Sequence, residues 1–252
     1  MSAADIVLLV GVGALSGAMN AVVGGGTFFT FPLLLALGVP PVAANATTTV
    51  ALWPASLVAS RAYLAELRGA RERLPWRSAV AILGGAAGAL LLLASGDALF
   101  GKMVPWLIGG ATLLFAFSRN IVRRLAAFGS RANAASTMIL AVTAAVYGGY
   151  FGAGVGILLM AALAMAGEAD AQVANAQRNL LGALINGTAV AIFILYRAVE
   201  WPFALTAMAG AAAGGYLGAR AARRMPSKWL RVCVVAVGAV LSLVYFRSAY
   251  FA

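Results

Sequence analysis

Arg178 is the one charged side chain set well inside an apolar stretch, the run Ala171–Tyr196. It comes about seven residues into that run, roughly 10 Å deep at a helical rise of 1.5 Å per residue. A guanidinium at that depth is a planar, permanently charged donor fork that matches an oxyanion. Intramembrane charges are rare and mostly functional. Asn175 and Asn179 share its helical face, and Asn186 follows two turns on. A second set, Asn45, Thr48 and Thr49 beside Thr47, has the same helical spacing. Uncharged donors on one interior face suit a ligand that has shed its water. The competing reading is local. Threonines near a helix start bond back to the preceding turn, and Arg178 can lean toward its own N-terminus and snorkel to the surface. The residues leave both open.

Other chemistries lack their residues. The chain has no histidine and one cysteine, Cys233, so a zinc site or a Cys–His nucleophile has nothing to use. All seven acids, Asp5, Glu66, Glu72, Asp97, Glu168, Asp170 and Glu200, fall at segment ends or in loops. No carboxylate stands where a coupled proton would ride. The expectation is no enzyme, no metal and no cofactor.

The polar sets follow glycine clusters. Gly24, Gly25 and Gly26 precede Thr27, and Gly152, Gly154 and Gly156 stand 130 residues on from the same region. That offset carries Gly24 onto Gly154, Gly26 onto Gly156, Asn45 onto Asn175, Ser56 onto Asn186 and Gly84/Gly88 onto Gly214/Gly218. One register over both halves is an internal repeat. A half-helix starting at such a break has unpaired N–H groups and the positive end of its dipole, an anion-binding end. Glycines spaced by four, as in Gly84/Gly88 and Gly210/Gly214/Gly218, read better as close helix packing.

The elements that must position these residues are set by composition. The chain is 63% hydrophobic and 10% charged, against about 25% charged in soluble domains. That predicts an all-α integral membrane protein in the cell membrane, a single transmembrane domain over 1–252. Its net charge of +11 is then no sign of nucleic acid. Eight apolar segments approach the ~20 residues that span a bilayer. The two segments after the glycine breaks, Thr27–Leu37 and Ile157–Ala166, are too short, which predicts re-entrant half-helices; full crossings remain an alternative. The N-terminal run has no basic n-region and is expected to be retained.

Fourteen of the eighteen basic residues fall around three loops, near Arg68, Arg123 and Arg223. Basic loops stay cytoplasmic. Threading the chain through them puts both termini outside. It also gives the halves, 1–125 and 131–252, opposite orientation, each a glycine-broken hairpin plus three crossings. Inverted repeats of this kind hold their ligand near the midplane at the repeat interface.

The glycine triplet, Pro32 six residues on, the Leu-rich run ending in Gly38-Val39-Pro40-Pro41, the Asn-Thr-rich helix start and a weaker second copy resemble the TauE/SafE sulfite exporter family over nearly the whole chain. The resemblance implies plasma-membrane transport of small anions such as sulfite or organosulfonates. Carried over, it points to Gly24, Gly25, Gly26, Pro32, Asn45, Thr47, Thr48, Gly154, Gly156 and Asn175. The second copy departs from the first, with Ala162 for the proline and Gln177-Arg178-Asn179 for the three threonines. The partners expected are a small anion and the lipid bilayer. An anion channel, or a membrane assembly protein that transports nothing, is the alternative. Sequence leaves the oligomeric state open.

Overall fold

The computed structural model describes residues 1–22, 26–61, 63, 65–129, 133–222 and 227–251. Gly24 and Gly25 lie outside these. The described residues form helices and no strand: α1 Ala3–Val22, α2 Thr27–Ala36, α3 Pro41–Arg61, α4 Leu74–Gly129, α5 Ala134–Tyr150, α6 Val155–Met165, α7 Ala171–Leu195, α8 Trp201–Ala222 and α9 Ser227–Phe251, with a 3-10 turn at Glu66–Ala70.

Local chemistry accounts for the ends. Asn133 caps α5 by accepting from the Ser136 N–H at 2.8 Å, and Asp170 caps α7 through Gln172 and Val173. Helices α2, α6 and α7 close alike, with Val39, Glu168 and Ala198 each donating to a carbonyl five residues back. Helix α2 starts at Thr27, so Pro32 sits inside it and removes the bond to the Phe28 carbonyl.

No loop interrupts α4 around 95–102. Helix α4 turns a corner at Gly96 alone (φ 65°, ψ 170°) and resumes at once. Only glycine takes that conformation cheaply, which is why one residue suffices. Asp97 then accepts from the Val42 N–H at 2.9 Å, capping α3 from across the corner.

Both short helices fold back on the helix before them. In α6, Val155 lies against Gly148, and Leu159, Leu163 and Ala166 share a crevice with Ala145, Ala141 and Thr137 of α5. In α2, Gly26 lies against Ser16 and Asn20, and the Thr30 hydroxyl donates to Ser16 Oγ at 2.6 Å.

Two helix pairs run parallel in close contact. Gly13 and Gly17 of α1 face Ala207 and Ala211 of α8, and a Cβ at Gly214 would collide with the Ala14 carbonyl. Gly84 and Gly88 of α4 face Ala145 and Val146 of α5 in the same way. Lipid is as apolar as leucine, so helices in a membrane gain chiefly by packing closely, and small residues permit it.

An aromatic core of Phe28, Phe31, Phe100, Phe115 and Phe151 ties α2 to α4 and to the end of α5. Large apolar side chains elsewhere face outward, among them Val7, Leu83, Leu113, Ile139, Leu195 and Leu243. In water such a surface would aggregate; in a bilayer it is the solvated face. Among the described residues, Ala3–Asn20, Leu74–Ala127, Ala171–Leu195 and Val232–Phe251 are long and apolar enough to cross a membrane.

Candidate functional site

The starts of α2 and α6 meet the facing sides of α3 and α7 around a cavity of about 100 Å³. Thr27 enters from the first residue of α2, Val155 and Gly156 from the first two of α6. Neither start carries a side-chain cap. At Gly154 the backbone is left-handed (φ 80°), as at Gly152 (φ 82°) two residues before, so the chain unwinds between α5 and α6 through conformations that favour glycine.

Helix α7 contributes Arg178, Asn179 and Asn186, and α3 contributes Thr49 and Ser56. The Arg178 guanidinium lies along Gly156, where a built Cβ would stand 3.6 Å from Nη1. Its Nη2 donates to Asn179 Oδ1 at 2.9 Å. The side chain therefore lines the wall of the cavity. Among the described residues no carboxylate pairs with it; the salt bridge found there joins Arg77 and Glu168 at 3.6 Å.

Of the residues singled out from sequence, the structure thus gathers Thr27, Thr49, Gly156, Arg178, Asn179 and Asn186. Gly26 caps α2 beside this group, against Asn20 and Leu52 of the wall. Gly154 instead faces Ala111, Leu114 and Phe115 of α4, and Asn175 is not part of the lining. Asn45 and Thr48 are also outside it and fully buried; the Asn45 amide donates to the Tyr150 carbonyl at 3.0 Å. Thr47 accepts from the Glu200 N–H at 3.0 Å, a structural bond between α3 and the start of α8.

Two features escaped the sequence reading. Asn20 lines the cavity from the last turn of α1; its signal was a lone asparagine in an apolar run just before the glycine triplet. Gln177 is buried in a network, accepting from Arg77 and donating to Glu168 Oε2 at 2.8 Å. That links α4 to α7 and the turn before it across 100 residues, and no local pattern announces it.

The arrangement offers two helix starts without side-chain caps, a guanidinium with no carboxylate partner among the described residues, and six neutral polar side chains around one cavity. Comparison with known proteins agrees with a membrane transport role. A family model described as sulfite exporter TauE/SafE matches residues 9–245. A relative in Haemophilus influenzae, described as a probable membrane transporter protein, is 28% identical over 235 residues, covering 91% of this chain and 90% of its own. No solved structure matches the chain. A match over nearly the entire length, on a chain whose outer surface is apolar and whose helices reach bilayer length, leads to one assignment: this membrane protein belongs to the sulfite exporter TauE/SafE family.

Proposed function

We propose that the protein is a secondary transporter or facilitator that moves a small oxyanion, sulfite or an organosulfonate, across the cell membrane by way of this cavity. The observation that carries the reading is Arg178: a guanidinium at the cavity wall, against the start of α6, with no carboxylate partner among the described residues. A cation set in a membrane protein's interior without a counter-charge is costly. An anion between Arg178 and the two helix starts relieves that cost. Each helix end adds a partial charge near +0.5, so the sum suits an anion of charge about −1 to −2. Thr27, Thr49, Asn179 and Asn186 orient its oxygens without adding charge.

The repeat is part of the proposal: halves 1–125 and 131–252 in opposite orientation, the cavity at their interface, both termini outside. Two contacts support it. Trp53 Nε1 donates to the carbonyl of Ala183 at 3.0 Å, a residue 130 positions on; a residue that touches its own repeat mate lies at a pseudo-twofold axis. The α1–α8 and α4–α5 pairs also exchange under the same shift, Gly84–Ala145 falling beside Gly214–Ala14.

The test is sulfite affinity of the purified protein, by calorimetry. Arg178→Ala is expected to weaken it about ten- to hundredfold, the ~1.5–3 kcal/mol of a hydrogen bond to a charged group. Arg178→Lys is expected to recover part, since a point charge lacks the planar fork. The exposed Arg119→Ala is expected to bind as wild type. Wild-type affinity in Arg178→Ala sinks the assignment of Arg178.

A further inference from the structure

Residues of two kinds lie beside the cavity. About one helical turn from its lining, toward the Gly96 corner, lie Ser16 on α1, Thr30 on α2 and Asn45 on α3, and Thr48 stands next to the lining residue Thr49. All four are polar and at most 1% exposed. The cavity residues Asn20, Thr27, Thr49, Ser56 and Arg178 keep partial exposure. A common level for the layer follows from its contacts. Thr30 bonds Ser16, Asn45 bonds the Tyr150 carbonyl, and Tyr150 in turn stacks edge-on against Phe100 at 5.6 Å. Phe31, next to Thr30, meets Phe100 at 6.2 Å and Phe151 at 5.7 Å.

Phe151 also lines the cavity, so this aromatic cluster adjoins it. A crevice with no room for a water runs from Thr27 past Phe31 and Phe151 to Ala153.

Within this layer Asn45 Oδ1 and Thr48 Oγ have no hydrogen-bond partner among the described residues. Buried polar atoms are rarely left so, and a full desolvation cost falls on each. Packing alone gives no reason for two of them on adjacent turns of one helix.

We infer that the solute's route continues from the cavity through this buried polar layer, and that Asn45, by holding the Tyr150 carbonyl, keeps the plug of Phe31, Phe100 and Phe151 closed across it. The inference rests on the transport reading above and adds the path and its gate. When the plug parts, the Asn45 amide protons freed from Tyr150 and the Thr48 hydroxyl can donate to a small oxyanion's oxygens. Asn45 Oδ1 can accept from the water that travels with it. The layer is then a neutral second station, with no charge to trap the anion that Arg178 held.

The experiment needs no ligand. In full-length protein with Cys233→Ser, single cysteines at Thr48→Cys and Ser56→Cys are timed against a hydrophilic thiol reagent in detergent. Thr48→Cys is expected to react slowly, and about tenfold faster when combined with Asn45→Ala, the ratio that ~1.4 kcal/mol sets. Phe100→Leu, which loosens the plug without removing a polar group, is expected to act in the same direction and stands in should Asn45→Ala not fold. Ser56→Cys, on the cavity itself, is expected to react at one rate in all backgrounds. A Thr48→Cys rate that neither variant changes overturns the gate, as does a parallel rise at Ser56→Cys, which means general loosening. The anion assignment is judged apart, by sulfite affinity in Arg178→Ala, so failure of one reading does not pass for failure of the other.

Discussion

A methyl group at Gly156 would sit 3.5 Å from Arg178 Cδ and 3.6 Å from Nη1, which is ordinary contact. Gly156→Ala therefore fits the fold but takes room beside the guanidinium. We expect sulfite affinity to fall several-fold, up to about tenfold or ~1.4 kcal/mol, with an unchanged melting temperature. Gly152→Ala is different. A methyl there would make only ordinary contact, 3.4 Å from the Gly148 carbonyl oxygen, but φ is 82°, and forcing an L-residue there costs roughly 1–2 kcal/mol. It is expected to lower thermal stability first. Calorimetry beside thermal unfolding in detergent separates the two. Equal stability losses would show that Gly156 serves packing and not the anion.

Among the elements, the α1–α8 contact depends on the missing side chain of Gly214. A Cβ there collides with the Ala14 carbonyl, which is backbone and cannot rotate away. Gly214→Ala is expected to push the helices apart and cost about 1–3 kcal/mol. Gly11→Ala, on the same α1 but with nothing within 4 Å, removes only the glycine penalty. It is expected to hold or raise stability by up to ~1 kcal/mol. Thermal unfolding of the two in one detergent gives the comparison, and a harmless Gly214→Ala would overturn the packing account. The α2 and α6 starts make the opposite use of glycine. There the breaks free helix ends, and the ends point at a cavity.

At the scale of the whole molecule, the arginine distribution and the apolar outer face make one prediction about orientation. With Cys233→Ser as background, Leu99→Cys beside the Gly96 corner is expected to be labelled by an impermeant reagent on intact cells. Arg68→Cys and Arg123→Cys are expected to react only after permeabilisation. The basis is the excess of Lys and Arg in the loops near 68 and 123 against the single Lys and Asp near 99. The reverse pattern would invert the molecule and place the gate on the cytoplasmic side. On the expected pattern, the closed face is the outer one and the cavity is reached from within.

What sequence determined by itself was whatever depends on periodicity and composition. The membrane class followed from hydrophobic runs, because bilayer thickness sets helix length. The short helices α2 and α6 followed from glycine clusters, because a break needs residues without a Cβ. One constant offset relates the polar helix starts at Asn45 and Asn175 in the sequence, and the repeat it implies belongs to the proposal. Tertiary structure decided which of those polar groups meet. Helical spacing puts Asn45, Thr48 and Thr49 on one face, yet Thr49 reaches the cavity while Asn45 and Thr48 are fully buried outside it. Spacing fixes angle around a helix but not how far the neighbouring helices slide along it. Arg178 shows the same limit. Its charge at depth was plain from sequence, whereas its lie against Gly156 depends on how α6 folds back on α5, a contact that no local pattern encodes.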